Sequence, residues 1–219
     1  MAGFDRAMFK KIAGVFAPER KRLLCCALCG SPDPADCGLC EACAAMMPEA
    51  PAKRSAPGID GVRAAFAYEE PARTLILRFK FKNERYLAAL FAYYMAALDD
   101  FPKEAVLVPV PLHEKRKKLR GFSQTGELCR ELSRLTGRGT AFNILQRNRD
   151  TPPQTGLPFS ERQENLKGAF SAGGAEGLSA ILVDDVITSG ATLAECARAL
   201  RETGAGQVFA LCACSAEKD

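Results

Sequence analysis

Histidine is nearly missing from this sequence: His113 is the only one. A Ser-His-Asp or Cys-His catalytic arrangement would have to bring that one imidazole to a remote partner, so nothing supports covalent catalysis. No run approaches the roughly 18 apolar residues that cross a bilayer, and no integral membrane segment is expected. The glycine spacing does not match a dinucleotide-binding turn, and no Gly-Lys-Ser/Thr ends a phosphate loop; two common nucleotide fingerprints are thereby excluded. Regularly placed exposed aromatics are also lacking, which counts against a strand binder built on stacking.

What is present describes a soluble globular protein. The 219 residues, 47% hydrophobic and 26% charged, suffice for one domain of about 150 residues with a small appendage. The net charge of +4 is uneven. Lys103 to Lys167 carries thirteen Lys/Arg against seven Asp/Glu, and Glu176 to Asp219 three against seven, so the middle of the chain is the anion-facing part. At the N-terminus, Phe4, Met8, Ile12 and Val15 or Phe16 recur at helical spacing among basic residues. Residues 1–20 read as an amphipathic helix rather than a signal peptide, packed on the protein itself in preference to a membrane surface, and a cytoplasmic location is the default expectation.

Ten cysteines without a secretion signal argue for metal or thiol chemistry rather than a disulfide scaffold. Six lie between Cys25 and Cys43. The symmetric choice is Cys26 and Cys29, then Cys40 and Cys43, two knuckles whose four thiolates complete a tetrahedral sphere for a structural zinc. Gly30 suits the tight turn of the first knuckle. Cys25 and Cys37 compete for the same roles, and Cys37-x2-Cys40 is a third such pair, so the spacing leaves ligand swapping open. A redox dithiol is less expected because no thioredoxin-like βαβ unit surrounds these cysteines. Cys129, Cys196, Cys212 and Cys214 fall in predicted helices or a terminal strand and read as small buried hydrophobes. This divides the chain into the helix 1–20, a four-cysteine module 21–50, a Pro- and Gly-bearing linker 51–61, and a main domain 62–215.

The main domain is organised around Ala180 to Leu200. Ala180, Ile181, Leu182 and Val183 have the character of a buried central strand, Asp184 and Asp185 stand at its end, and Thr188-Ser189-Gly190 leads into a helix with Leu193, Ala197 and Leu200 on one face. In open α/β sheets, ligands sit at the carboxyl ends of strands, and a helix N-terminus offers unpaired N–H groups to an anion. Two carboxylates at a buried strand end are costly unless something engages them.

Other elements follow in order. Val62 to Tyr68 reads as a strand, Pro71 onward as a helix burying Leu75, Ile76 and Phe79 beside Arg78, Lys80 and Lys82, and Arg85 to Leu98 as a helix with one buried side. Ala105 to Val110 is a second buried strand. It runs into Lys115, Arg116, Lys117, Lys118 and Arg120, a cation cluster suited to a pyrophosphate, to a nucleic-acid backbone, or to plain solvent exposure. Thr125 to Leu135 is predicted helical, Thr140 to Leu145 and Val208 to Cys214 as strands, and Arg147 to Gln163 as an extended loop with the chemistry of either a closing lid or a surface hairpin.

The residues LVDDVITSGATL closely resemble the signature of type I phosphoribosyltransferases. Together with the four-cysteine knuckles, VPVPLHEKRKKLRGFSQ at Val108 to Gln124, and ERQENLKGAF at Glu161 to Phe170, the chain resembles the ComF family, competence-associated proteins that are phosphoribosyltransferase-like, from about Cys26 to Cys214. The resemblance implies an α/β fold, a type I phosphoribosyltransferase-like open parallel sheet with flanking helices. It implies that phosphoribosyl pyrophosphate (PRPP) or a related ribose phosphate binds with magnesium: Asp184 and Asp185 on the ribose hydroxyls, Thr188, Ser189, Gly190, Ala191 and Thr192 around the 5-phosphate, and Lys115, Arg116, Lys117, Lys118, Arg120 and Arg162 facing pyrophosphate. Arg162, Asn165 and Gly168 belong to its characteristic later segment. Where the family pattern has Arg-Gly-Phe-Asn-Gln, this chain has Ser123, which still offers a helix cap. Implied partners are single-stranded DNA and competence or DNA-processing proteins. Two functions remain open: transfer of phosphoribosyl to an unidentified nitrogen acceptor, and DNA handling without turnover.

Overall fold

The computed structural model describes residues 25–32, 38–51, 54–113, 121–149 and 165–216. The predicted helix at 1–20 lies outside the described residues. A short helix α1 (Glu41–Ala45) precedes β1 (Gly61–Ala67), α2 (Ala72–Phe81), α3 (Leu87–Ala96), β2 (Val106–Pro109), α4 (Gln124–Thr136), β3 (Leu145–Arg147), β4 (Phe170–Ala172), β5 (Ser179–Ile187), α5 (Ala191–Glu202) and β6 (Gln207–Ser215).

Four strands form a wholly parallel sheet in the order β1-β6-β5-β2. Its centre is β5, where Ala180, Ile181, Leu182 and Val183 are fully buried. Each such large aliphatic side chain contributes about 1.5–3 kcal/mol by leaving water. Alternation sends Ile181 and Val183 into a core shared with α2, α3 and α4, and Leu182 into a second core against α5. The result is an α/β fold with helices on both faces of the sheet.

Local chemistry sets the helix ends. Ser123 Oγ accepts the Gly126 N–H at 3.1 Å and starts α4, while Gly137 closes it with an N–H to the Ser133 carbonyl. On α2, Leu75, Ile76 and Phe79 are fully buried, as their spacing predicts. Helix α3 departs from the expected one-sided pattern, with nine of its ten residues buried. It packs against the sheet, α2 and α4 together, so its polar face was never needed.

The region after α4 also differs. Thr140 makes only one bridge, to Leu107, and the strand itself is Leu145–Arg147, paired antiparallel with β4. A turn at 142–144 intervenes where continuous strand was expected. This small two-stranded unit packs through Leu145 and Phe170 onto the α5 core. Nearby, Arg138 forms a buried pair with Asp99, with Nε to Oδ2 at 2.5 Å and Nη2 to Oδ1 at 2.8 Å, and also donates to the carbonyls of Phe101, Pro102, Lys103 and Ala105.

The end of the expected four-cysteine module and the expected linker each touch the sheet. Glu49 bridges Phe66 and Arg54 bridges Val62, both antiparallel, along the outer edge of β1.

Candidate functional site

The connection leaving β2 leads to α4 on one face of the sheet, and that leaving β5 leads to α5 on the other. Neighbouring strands whose connections diverge open a crevice at their carboxyl ends. Asp184 and Asp185 stand at that point on β5.

The two carboxylates have unlike surroundings. Asp185 is buried, 8% exposed, with Lys80 Nζ on α2 only 2.7 Å from its Oδ1. Asp184 is half-buried, and its Oδ1 accepts the Asp185 N–H at 2.8 Å. Burial, and then the neighbouring Asp185 charge, push the Asp184 carboxyl from its ordinary 3.8 up to about 7; the Asp185 N–H, Lys80 and Arg147 resist that rise. One carboxylate is paired with a lysine. The other is poised to accept or to donate a hydrogen bond near neutral pH.

Next in the chain, Thr188 is exposed, while Ser189, Gly190 and Ala191 are buried as the loop enters α5. Ser189 Oγ accepts the Ala191 N–H at 3.4 Å. Gly190 has φ +78°, and a Cβ there would come within 3.0 Å of Ala56 Cβ, so both backbone conformation and space require glycine. Arg54 donates to the Thr188 carbonyl. The segment preceding β1 thus straps the outside of the loop. With Thr192 in the first turn of a twelve-residue helix, the loop can offer hydroxyls, N–H groups and a positive dipole end to a phosphate.

Lys80, Arg54 and Arg147 escaped the sequence reading. Lys80 is an ordinary basic residue in an amphipathic helix pattern, and Arg54 lies in a Pro-rich stretch 134 residues from Thr188. Contacts between segments distant in sequence bring them to β5: Lys80 from α2, Arg54 from the segment antiparallel to β1, and Arg147 from β3. Lys115, Arg116, Lys117, Lys118, Arg120 and Arg162, expected to face pyrophosphate, lie outside the described residues.

A second site forms at the edge of the α2–α4 core. The Sγ atoms of Cys26, Cys29, Cys40 and Cys43 lie within 4.8 Å of one another. Cys29 and Cys40 Sγ are 3.7 Å apart, close to the roughly 3.8 Å edge of a tetrahedron with metal–sulfur bonds of about 2.3 Å. Gly30, with φ +75°, returns its N–H to the Cys26 carbonyl and closes the first knuckle, while Cys40 and Cys43 flank the start of α1. Burial raises the Cys26 thiol, but the backbone N–H groups of Cys29, Cys40 and Leu28 outweigh it and bring it down to about 6. Burial and the surrounding thiols push Cys43 up to about 12. Four converging soft donors at this spacing can chelate a metal such as zinc. Cys25 is exposed and outside this cluster; Cys37 lies outside the described residues. The Arg78 guanidinium fastens the module to α2 by donating to the Ala27 carbonyl while pairing with Glu84 at 2.6 Å.

Fold and sites together define an α/β protein with a parallel core sheet, an acidic pair and helix-entry loop at its carboxyl edge, and an appended four-thiol cluster. No family model matches the chain. It is similar to Competence protein F of Haemophilus influenzae, 36% identical over 152 residues covering 64% of this chain and 66% of that protein. It is 33% identical over 155 residues to DNA utilization protein YhgH of Salmonella typhi, covering 67% of this chain and 68% of that one. With Competence protein ComFC of Bacillus subtilis the identity is 29% over 204 residues, covering 91% of this chain and 77% of that one. The chain belongs to the ComF family. Its matched segment spans about two thirds of the length of the first two relatives. Among the described residues no helix is long and apolar enough to cross a membrane.

Proposed function

We infer that this protein binds PRPP with magnesium at the carboxyl edge of its sheet and serves the uptake or use of DNA. The observation that carries this reading is the unlike pair Asp184 and Asp185, one carboxylate neutralised by Lys80 and the other left costly until a ligand engages it. Asp184 and Asp185 would take the ribose hydroxyls, and Thr188 to Thr192 the 5-phosphate. Lys115 to Lys118, Arg120 and Arg162 would offset the charge of the pyrophosphate. Magnesium would add charge compensation there. The protein's own contribution to phosphoribosyl transfer onto a nitrogen acceptor would be placement and electrostatics. A zinc in the thiol cluster would be structural, since four protein ligands leave no open position.

Relatives named for competence and for DNA utilization support the role in DNA handling, and they favour a second reading in which the pocket binds ligand without turnover. Titration calorimetry with PRPP and magnesium, on the parent and on Asp184→Asn/Asp185→Asn, tests the binding. Saturable heat in the parent, lost in the variant, is expected; a parent without saturable binding refutes it. Release of pyrophosphate with candidate acceptors separates transfer from binding alone.

A further inference from the structure

The side chains of Asp184 and Asp185 leave β5 on opposite faces. In the alternation along the strand, Asp185 follows Ile181 and Val183 toward the core shared with α2, and Asp184 follows Leu182 toward the α5 core. Their surroundings agree: the Asp184 charge is felt at Cys196 of α5, and the charges of Asp185 and Lys80 at Cys214. The Asp185 charge is nevertheless felt at Asp184, so both carboxyl groups are close enough to act on one cation. Carboxyl groups beside a loop rich in hydroxyls are the oxygen donors that a hard divalent cation takes.

Cationic side chains already crowd this place. Lys80 Nζ is 2.7 Å from Asp185 Oδ1, with the two side chains only 17% and 11% exposed, so solvent and salt screen the pair weakly. The Arg147 charge reaches Asp184, and Arg54 donates to the Thr188 carbonyl. Three cationic groups thus surround two carboxyl groups. Lys80 is also anchored, unlike a lysine on an open surface. The preceding residue, Phe79, is fully buried, with its ring 6.1 Å from that of Phe91 and 5.6 Å from that of Phe122. Before it, Arg78 pairs with Glu84 and donates to the Ala27 carbonyl. The last turn of α2 is therefore gripped by the thiol module and by the core, and it presents Lys80 to Asp185 from a held backbone.

We propose that Lys80 is a specificity-determining residue of the acidic pair: its ammonium holds the place on Asp185 that a bare divalent cation would otherwise take. A neighbouring charge changes a carboxylate's affinity for a proton by about tenfold to a thousandfold, and the same field acts on any other cation. A metal alone meets a cationic setting and is turned away; an anionic ligand meets the same setting and is drawn in. Lys80 does this through Asp185 and so acts as a positioning residue. The proposal rests on the preceding reading only in its consequence, that the acidic pair is kept open for PRPP and its magnesium together.

Binding of Mn²⁺ to the full, zinc-loaded chain, followed by loss of the free ion's paramagnetic resonance signal, tests this without PRPP. Zinc closes the thiol cluster to the probe, since manganese competes poorly for thiolates. Lys80→Met, which keeps the length of the side chain and removes its charge, should bind Mn²⁺ about tenfold tighter than the parent or more. Lys80→Gln should do the same, with circular dichroism checking that each variant is folded. Adding Asp185→Asn to Lys80→Met should abolish the gain, and Lys80→Arg should bind as the parent does. Lys82→Met, which removes an exposed charge at the end of the same helix, should also match the parent. A lysine with only a structural role gives lower stability on removal and no gain in metal affinity. Unchanged or weaker Mn²⁺ binding in Lys80→Met and Lys80→Gln, an equal gain in Lys82→Met, or a gain that survives Asp185→Asn would overturn the assignment. Failure of PRPP calorimetry leaves this test standing, and those outcomes leave PRPP binding standing.

Discussion

Replacing Asp184 with asparagine should make the ligand-free protein more stable at neutral and alkaline pH. The folded protein holds the Asp184 proton up to about pH 7, whereas the unfolded chain releases it near 3.8. Because the folded state binds this proton more tightly, stability falls as pH rises from the lower value to the higher one, and levels off above it. Each tenfold difference in proton affinity is worth about 1.4 kcal/mol, so the full cost reaches about 4 kcal/mol. Between pH 5 and pH 8 the folded protein meets about two of those decades, or roughly 2–3 kcal/mol. Asparagine keeps an oxygen for the Asp185 N–H and carries no charge. Urea denaturation of parent and Asp184→Asn at intervals from pH 5 to pH 8 should show a stability difference that grows in the variant's favour by about that amount. Both proteins carry every other titrating group, so their difference isolates this one. A difference that stays flat across the interval would refute the account of a ligand site held at the expense of stability.

Three further outcomes follow from the structure. Arg138→Ala leaves Asp99 buried without its charge partner and should cost about 3–5 kcal/mol in chemical denaturation, far more than truncating the exposed Arg73. Gly190→Ala should cost about 1–2 kcal/mol for its left-handed backbone plus the clash with Ala56; adding Ala56→Gly should recover only the second part. Cys40→Ser should lower bound zinc measured by elemental analysis and lower the melting temperature, whereas Cys25→Ser should change neither.

The elements with strong local signals were legible from sequence alone. Four consecutive apolar residues before two aspartates mark the buried central strand that β5 is, and the cysteine spacing anticipates the thiol cluster. What remained hidden depends on contacts between distant segments. Lys80 looks like any basic residue on the polar side of α2 until the helix is laid on the sheet above Asp185. Helix α3 was assigned an exposed side because periodicity does not reveal a third packing partner. The stretch Thr140 to Leu145 has the composition of a strand but bends at Phe142 and Asn143, where the chain leaves the main sheet for the smaller one.

The bridges from Glu49 and Arg54 to β1 also bear on how this protein can be dissected. β1 is an outer strand, and Glu49 and Arg54 each bridge to its free edge. A fragment cut at Val62 would bare that row of backbone donors and acceptors to any passing strand, and so invite self-association. It would also remove Arg54 and Ala56 from behind the loop at Thr188 to Gly190. The smallest faithful fragment of the α/β domain therefore begins ahead of Glu49, within the span that composition assigns to the four-cysteine module.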